Sequence, residues 1–228
     1  MTTKFTFLGH ASWLIESAGL TIVLDPFLEG NPKAVKKVAD ITADYILVSH
    51  GHGDHLADAA PLANKNDAPL VTVVEIAEWF SANHGVKNAV GMNTGGTYKL
   101  PCCDVKMVQA FHSSGLPDGS YGGMPVGFVL TFPEGKVYFA CDTAVFGDMA
   151  LIGQAGIDVA VLPIGDFYTM GIDDSVLATQ LVKPKRVVPY HYNTFPAIEV
   201  DDAEWSAKVK EQTASEPVVV QPGESFTL

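Results

Sequence analysis

Six residues, His50-Gly51-His52-Gly53-Asp54-His55, constrain this chain more than any other segment: three imidazoles and a carboxylate directly follow the apolar run Tyr45-Ile46-Leu47-Val48-Ser49. That run has strand composition, so the hexapeptide stands where a strand ends and turns. Imidazole and carboxylate ligands suit borderline divalent ions, and three neutral histidines beside one aspartate can surround two ions that share a wall. With 7 His and 16 Asp in 228 residues, a match to H-x-H-x-D-H arises by chance roughly 5 times in 10,000 such chains. A purification tag would sit at a terminus, and this run does not.

Spacing within the run suggests how the ions divide. Strand alternation would point His50 and His52 the same way, toward one ion. Asp54 and His55, past a turn relaxed by Gly51 and Gly53, would then face the second. Two ions roughly 3.5–4 Å apart can activate water and hold a leaving oxygen, which makes hydrolysis the natural chemistry.

A hydrophobic strand ending in SHxHxDH resembles the signature of the metallo-β-lactamase superfamily. The resemblance implies three further ligands in chain order, and the sequence offers each. His112 ends Val105-Lys106-Met107-Val108-Gln109-Ala110-Phe111-His112. Asp142 ends Val137-Tyr138-Phe139-Ala140-Cys141-Asp142-Thr143, with Cys141 where Gly is more usual, and His191 lies in Arg186-Val187-Val188-Pro189-Tyr190-His191-Tyr192-Asn193. The implied fold is α/β, a four-layer αββα sandwich, here one hydrolase domain over residues 1–228. Gly9-His10-Ala11-Ser12, Leu24-Asp25-Pro26-Phe27, Asn93-Thr94-Gly95-Gly96, Leu162 to Gly171 and His191 to Pro196 narrow the likeness further. They resemble small bacterial and archaeal metal-dependent hydrolases, a group similar to the L-ascorbate-6-phosphate lactonase branch and, more distantly, to the N-acyl-phosphatidylethanolamine phospholipase D branch.

What the resemblance implies for chemistry is a binuclear hydrolase in which a metal-bridging hydroxide attacks a small ester, lactone or phosphodiester. His50, His52 and His112 would hold the first ion, Asp54, His55 and His191 the second, and Asp142 would bridge them, with Asp54 also orienting the water. Zinc is the first choice, while manganese and iron accept the same donors. Asp142 stands where true β-lactamases of the superfamily mostly carry Cys, which argues against antibiotic hydrolysis. Redox members usually carry Glu where His52 stands. Glyoxalase II and tRNA-processing members add a helical domain or a basic arm, for which a chain of this length leaves no room. A nuclease-type phosphodiesterase and a non-catalytic metal-binding module are the alternatives.

Composition agrees. A 228-residue chain that is 47 % hydrophobic can bury a large core. Net charge −12, with 14 Lys and Arg in all, argues against nucleic-acid partners, which need basic surface. No apolar run approaches the ~18 residues of a membrane span, and no signal-peptide core precedes Phe5, so a cytoplasmic protein acting on a small molecule is expected. Homo-oligomerisation stays open. Three cysteines without CxxC spacing indicate neither a disulfide framework nor a Cys-rich zinc site.

Strands are expected at Lys4–Leu8, Ser12–Ser17, Thr21–Leu24, Tyr45–Ser49, Pro101–Phe111, Pro125–Phe132, Lys136–Ala140, Asp158–Leu162, Arg186–Pro189 and Pro217–Val220, with Ala18-Gly19 as a hairpin turn. Helices are expected near Asn31–Ala39, Leu56–Ala63, Glu75–Asn83, Gly147–Ala155, Asp174–Val182 and Asp201–Thr213. The Gly- and Pro-rich stretch from Ser113 to Pro125 reads as a long loop that walls the pocket, with Tyr121 and Met124 as its apolar contacts.

Several residues carry two readings. His84, at a helix C-terminus, is expected to cap rather than bind metal. His10 ends the first strand, either as a core histidine or at the site rim as a substrate contact or proton donor. Asp25 either stops a strand or accepts the free N–H of a metal-bound histidine, and the resemblance favours the second. Asp166 and Tyr168 either cap a turn or line the pocket together with Asn193. Cys141 is expected as a small buried hydrophobe.

Overall fold

The computed structural model describes residues 2–228. Strands β1 (Lys4–Gly9), β2 (Ser12–Ser17), β3 (Leu20–Leu24), β4 (Tyr45–Leu47), β5 (Leu70–Val73) and β6 (Ala89–Met92) follow one another across a first sheet. Strands β7 (Thr97–Lys99), β8 (Asp104–Gln109), β9 (Val126–Phe132), β10 (Gly135–Phe139), β11 (Val159–Pro163), β12 (Arg186–Tyr190) and β13 (Glu216–Pro217) cross a second sheet in the same stepwise way. β14 (Ser225–Thr227) then returns to pair with β1, stacking Phe226 on Phe5 with ring centroids 4.8 Å apart. Among the described residues this gives two seven-stranded sheets.

Helices α1 (Gly53–Leu56), α2 (Ala59–Asn66) and α3 (Val74–His84) belong to the first sheet, with α2 packed on β4 and α3 on β5 and β6. Helices α4 (Met149–Gly153), α5 (Ile172–Val182) and α6 (Asp202–Gln212) cover the second, where Trp205 and Met149 are fully buried against it. The result is the expected αββα sandwich. Its central core, between the sheets, holds Phe5, Trp13, Phe128, Phe139 and Tyr190 at no more than 1 % exposure. Burying such aromatics contributes roughly 1.5–3 kcal/mol each, which is why the alternating strands commit to this stacking.

Strand direction positions the site. β1 and β3 are both antiparallel to β2, and β4 runs parallel to β3. In the second sheet β8 and β10 are both antiparallel to β9, while β11 and β12 run parallel to β10. Within each sheet, therefore, the strands preceding His10, Asp25, His50, His112, Asp142 and His191 all end at the same edge. Chain exits from C-terminal strand ends are where α/β folds place ligands, because side chains there are held by the sheet yet free of it.

The structure corrects several boundaries. β5 and β6 were not expected, since Leu70–Val73 is a short run buried on every side and lacks alternation. β7 and β14 are three residues each. The helix expected near Asn31–Ala39 is a single 3-10 turn at Val38–Asp40, tied down by Lys65 Nζ, which donates to the carbonyls of Val38, Ala39 and Ile41. The strand expected at Pro217–Val220 pairs only at Glu216–Pro217. The Ala18-Gly19 turn is present, with φ of 51° and 80°.

Candidate metal centre

β4 ends at Leu47, so His50 and His52 lie beyond the pleat, and strand alternation is not what brings them together. His52 instead caps α1 in extended backbone, and the one-turn helix places Asp54 and His55 inside the cleft. The two glycines of the hexapeptide serve different ends than backbone relaxation. A Cβ on Gly51 would stand 3.1 Å from the Gly115 carbonyl oxygen, whereas a Cβ on Gly53 would meet nothing within 4 Å. Gly51 thus allows the loop from Ser113 to Pro125 to close onto the hexapeptide. Ser114 Oγ fixes that contact, accepting from Gly51 N at 3.1 Å and donating to Gly122 O at 2.9 Å. On its outer side the loop is pinned to α3, where Trp79 Nε1 donates to Asp118 Oδ2 at 2.6 Å.

The other site residues leave their strands through left-handed backbone. His10, Asp25, Cys141, His191 and Asn193 have φ between 46° and 58°. Such conformations cost energy for non-glycine residues and cluster where geometry serves a site. Cys141 is buried as expected, and its φ of 54° gives the physical reason that glycine suits this position.

Six of the seven histidines converge. His50 Nε2 lies 3.0 Å from His52 Nδ1, which lies 3.2 Å from His112 Nε2. Each neutral imidazole has one ring hydrogen, so three such nitrogens cannot satisfy one another. Their outer nitrogens are engaged elsewhere, His50 Nδ1 with Ser49 Oγ at 2.9 Å and His52 Nε2 with Ser113 Oγ at 3.1 Å. Burial lowers the pKa of all three, well below the usual value for His50. Neutral imidazoles with inward lone pairs are the form that binds a cation.

A second group joins His10, Asp54, His55 and His191. His55 Nε2 and His191 Nε2 each lie 3.9 Å from Asp54 Oδ2. Asp142 Oδ2 stands between the groups, 3.2 Å from His55 Nε2, 3.1 Å from His191 Nε2 and 3.6 Å from His112 Nε2. Burial alone would raise the Asp142 carboxyl, but His191 and His55 hold it well below the carboxylate range. Burial also pulls His55 down, yet Asp142 and Asp25 together push it well above the ordinary imidazole value. Asp142 Oδ1, His55 Nε2 and both His191 ring nitrogens are buried without a hydrogen-bond partner. Orphaned donors and acceptors of this kind are costly, and a cation among them would satisfy them. The donor set therefore fits divalent metal.

Asp25 accepts from Ser49 N at 2.8 Å, from Ser49 Oγ at 2.6 Å and from His55 Nδ1 at 2.9 Å. It thereby steadies a histidine of each group, His55 directly and His50 through Ser49. His10 is buried, edge-on to Phe27 and Phe195, with Nε2 2.9 Å from Asp54 Oδ2 and Nδ1 2.9 Å from Thr194 Oγ1. Burial lowers its pKa to about 4 against the opposing pull of Asp54. His10 is consequently neutral, and as Asp54 is a carboxylate, the ring hydrogen sits on Nε2.

A cavity of about 550 Å³ opens over these groups, walled by Ser113, Tyr168, Phe195 and Ile198. Tyr168 lines this cavity. Asp166 does not: its backbone closes the turn before α5, donating to Met170 O at 3.0 Å and accepting from Thr169 N at 3.1 Å. Asn193 also stays off the cavity, its side chain pairing with the backbone of Val200 and so bracing the segment that carries Phe195 and Ile198. Tyr121 and Met124, expected as pocket contacts, are 66 % and 59 % exposed and off the cavity walls; only Ser113 of their loop lines it. His84 lies apart from the site, against Trp79 and Phe80. Ser49, Thr194, Phe195 and Ile198 were missed, although Ser49 adjoins the hexapeptide and Thr194 and Phe195 follow His191 within four residues.

Comparison with known proteins agrees with this architecture. A family model described as a beta-lactamase superfamily domain matches residues 4–191. A UPF0173 metal-dependent hydrolase of Thermus thermophilus is 46 % identical over 222 residues, covering 97 % of both chains. One from Archaeoglobus fulgidus is 45 % identical over 229 residues, covering 98 % of both. Among solved structures, Igni18, a metallo hydrolase of Ignicoccus hospitalis, superposes with a TM-score of 0.89 at 34 % identity, over 100 % of this chain and 99 % of that one. The converging histidines and carboxylates at the strand exits thus sit in a chain that belongs to the UPF0173 metal-dependent hydrolase family of the beta-lactamase superfamily.

Proposed function

We propose that this protein is a binuclear hydrolase cleaving a small ester, lactone or phosphodiester. The observation that carries the reading is Asp142 Oδ2, which lies within 3.6 Å of ring nitrogens from both histidine groups. His50, His52 and His112 would hold one ion, Asp54, His55 and His191 the other, and Asp142 both, with zinc the first candidate and manganese or iron acceptable to the same donors. Bound there, two divalent ions would supply Lewis acidity, polarising the scissile centre and making water a nucleophile near neutral pH.

The chain's own residues supply orientation and proton handling. Of the two carboxylates lining the cavity Asp142 is buried, and Asp54, 34 % exposed in its side chain, is the more open. Its Oδ2 is engaged by His10, which leaves Oδ1 to orient the attacking water. The proton that the attacking water gives up can pass through Asp54 to the leaving oxygen and so complete cleavage of the ester bond, while His10 Nε2–H holds Asp54 Oδ2 in place. Thr194 Oγ1, donating to Nδ1, keeps the His10 proton on the cavity side.

Elemental analysis of protein purified without chelator, followed by a panel of esters, lactones and phosphodiesters, tests the reading. Two metals per chain and turnover lost on chelation and restored by metal are expected. A metal-loaded protein inert on every substrate class would favour a binding module instead.

A further inference from the structure

Ser113, Tyr168, Phe195 and Ile198 wall the cavity, and among the described residues no lysine or arginine lines it. Arg186, the chain's only arginine, begins β12 at the opposite end from His191 and donates to Thr227 O at 2.8 Å. Lys33 borders a separate small cleft with Tyr192 and Asn193. Tyr168, which lines the cavity, forms an edge-to-face pair with its neighbour Phe167, with centroids 4.7 Å apart and exposures of 57 % and 73 %. Phe167 holds a φ of 45°, a rare conformation for a bulky residue. An aromatic kept exposed at such a cost, on the loop leaving β11 beside the site, marks a surface made for contact.

We infer that the site takes an uncharged ester or lactone whose apolar acyl or aryl portion packs on Phe195, Ile198 and Tyr168, and that it rejects substrates bearing an anionic group away from the reacting centre. The inference rests on the hydrolase reading and deepens it. Charge at the reacting centre would be offset by the ions, but a remote carboxylate or phosphate would enter an apolar wall without a cationic partner, and desolvating it there is unfavourable. The net charge of −12 adds repulsion at long range. A volume of about 550 Å³ suits a small molecule of this kind.

Two ester probes alike in leaving group and acyl length separate charge from size: p-nitrophenyl butyrate and p-nitrophenyl hemisuccinate. The metal-loaded protein should favour the butyrate by at least about tenfold in kcat/KM. Phe195→Ala should raise KM for the butyrate roughly tenfold, and Tyr168→Arg should narrow the preference by improving the hemisuccinate. A ratio near one, a preference for the hemisuccinate, or turnover of bis(p-nitrophenyl) phosphate with neither ester would overturn the inference while leaving a hydrolase in place. Saturation-transfer NMR with 4-phenylbutan-2-one and its para-carboxylate reads the pocket without turnover. Transfer to the neutral ketone alone, lost in Phe195→Ala, is expected even where neither the carboxylic esters nor the phosphodiester is cleaved, an outcome that would defeat the hydrolase reading and keep the neutral pocket. Equal transfer to both ketones, or to neither, would sink the inference.

Discussion

Asp25 Oδ2 accepts a hydrogen bond from His55 Nδ1 at 2.9 Å, and both residues are buried. The contact fixes which nitrogen of His55 faces the cleft, since Nδ1 is spoken for and Nε2 alone is left to bind. Asp25→Ala should therefore loosen His55 and, through Ser49, His50. Metal affinity should fall about 10–100-fold. Stability should fall by several kcal/mol, because Ser49 N, Ser49 Oγ and His55 Nδ1 lose their shared acceptor, each at roughly 1–3 kcal/mol. Metal titration and thermal unfolding check this, and unchanged affinity would remove Asp25 from the account.

Asp142 touches both histidine groups, so its loss should not be felt by one ion alone. Asp142→Ala is expected to lower metal content and abolish turnover together. Retained activity at full metal loading, measured on the same preparation, would show that the two groups work without a shared carboxylate.

His10 offers a contrast. His10→Gln replaces the imidazole whose Nε2–H fixes Asp54 Oδ2 with a flexible amide, so the rate should drop by about 10–100-fold. Metal stoichiometry should hold, whereas His50→Ala should shed metal as well. Loss of metal from His10→Gln comparable to that from His50→Ala would make His10 a ligand.

The same histidine gives a pH dependence. Asp54, His55, His191 and Thr194 face its ring, and burial lowers its pKa from 6.5 to about 4. An imidazole held below its unfolded value keeps its full contribution above pH 6.5 and loses it as pH falls toward 4. Over that window the chelator-treated native protein should lose roughly 3 kcal/mol relative to His10→Gln. Urea midpoints at pH 7 and pH 4 measure the difference; a constant gap would count against the buried neutral state.

The two hexapeptide glycines should part company. Gly51→Ala must displace Gly115 and is expected to cost about 1–3 kcal/mol, as overpacking does. Gly53→Ala, in the first turn of α1 and facing open space, should be neutral or stabilising by up to ~1 kcal/mol. Chemical denaturation of the two variants side by side decides it.

The convergence of these histidines and carboxylates was legible because rare residue types sit at strand ends in a recognisable order, and strand exits survive errors of a residue or two in strand length. The walls were not. Phe195 and Ile198 are the residue types that fill any core, and nothing local distinguishes them from Ile164 or Val188. The His10 contact with Asp54 joins positions 44 apart and depends on β1 and β4 ending at one edge, a consequence of strand order that periodicity does not encode. Asp166 and Asn193 lie off the cavity walls, where left-handed backbone turns the chain, Asp166 closing its turn through the backbone and Asn193 through its side-chain amide.

The clamp formed by Gly51, Ser114 and Gly122 bears on traffic. A loop tied by hydrogen bonds to Gly51 and His52 of the hexapeptide on one side and to Trp79 on the other cannot swing aside without dragging His52 with it. Tyr168 and Phe195, carried by the segments that follow β11 and β12, are cavity walls outside that clamp. Room for a substrate too long for the cavity is therefore not to be had at Ser113, whose neighbour is bolted down, and a tether, carrier or dye attached to such a substrate has to avoid that wall.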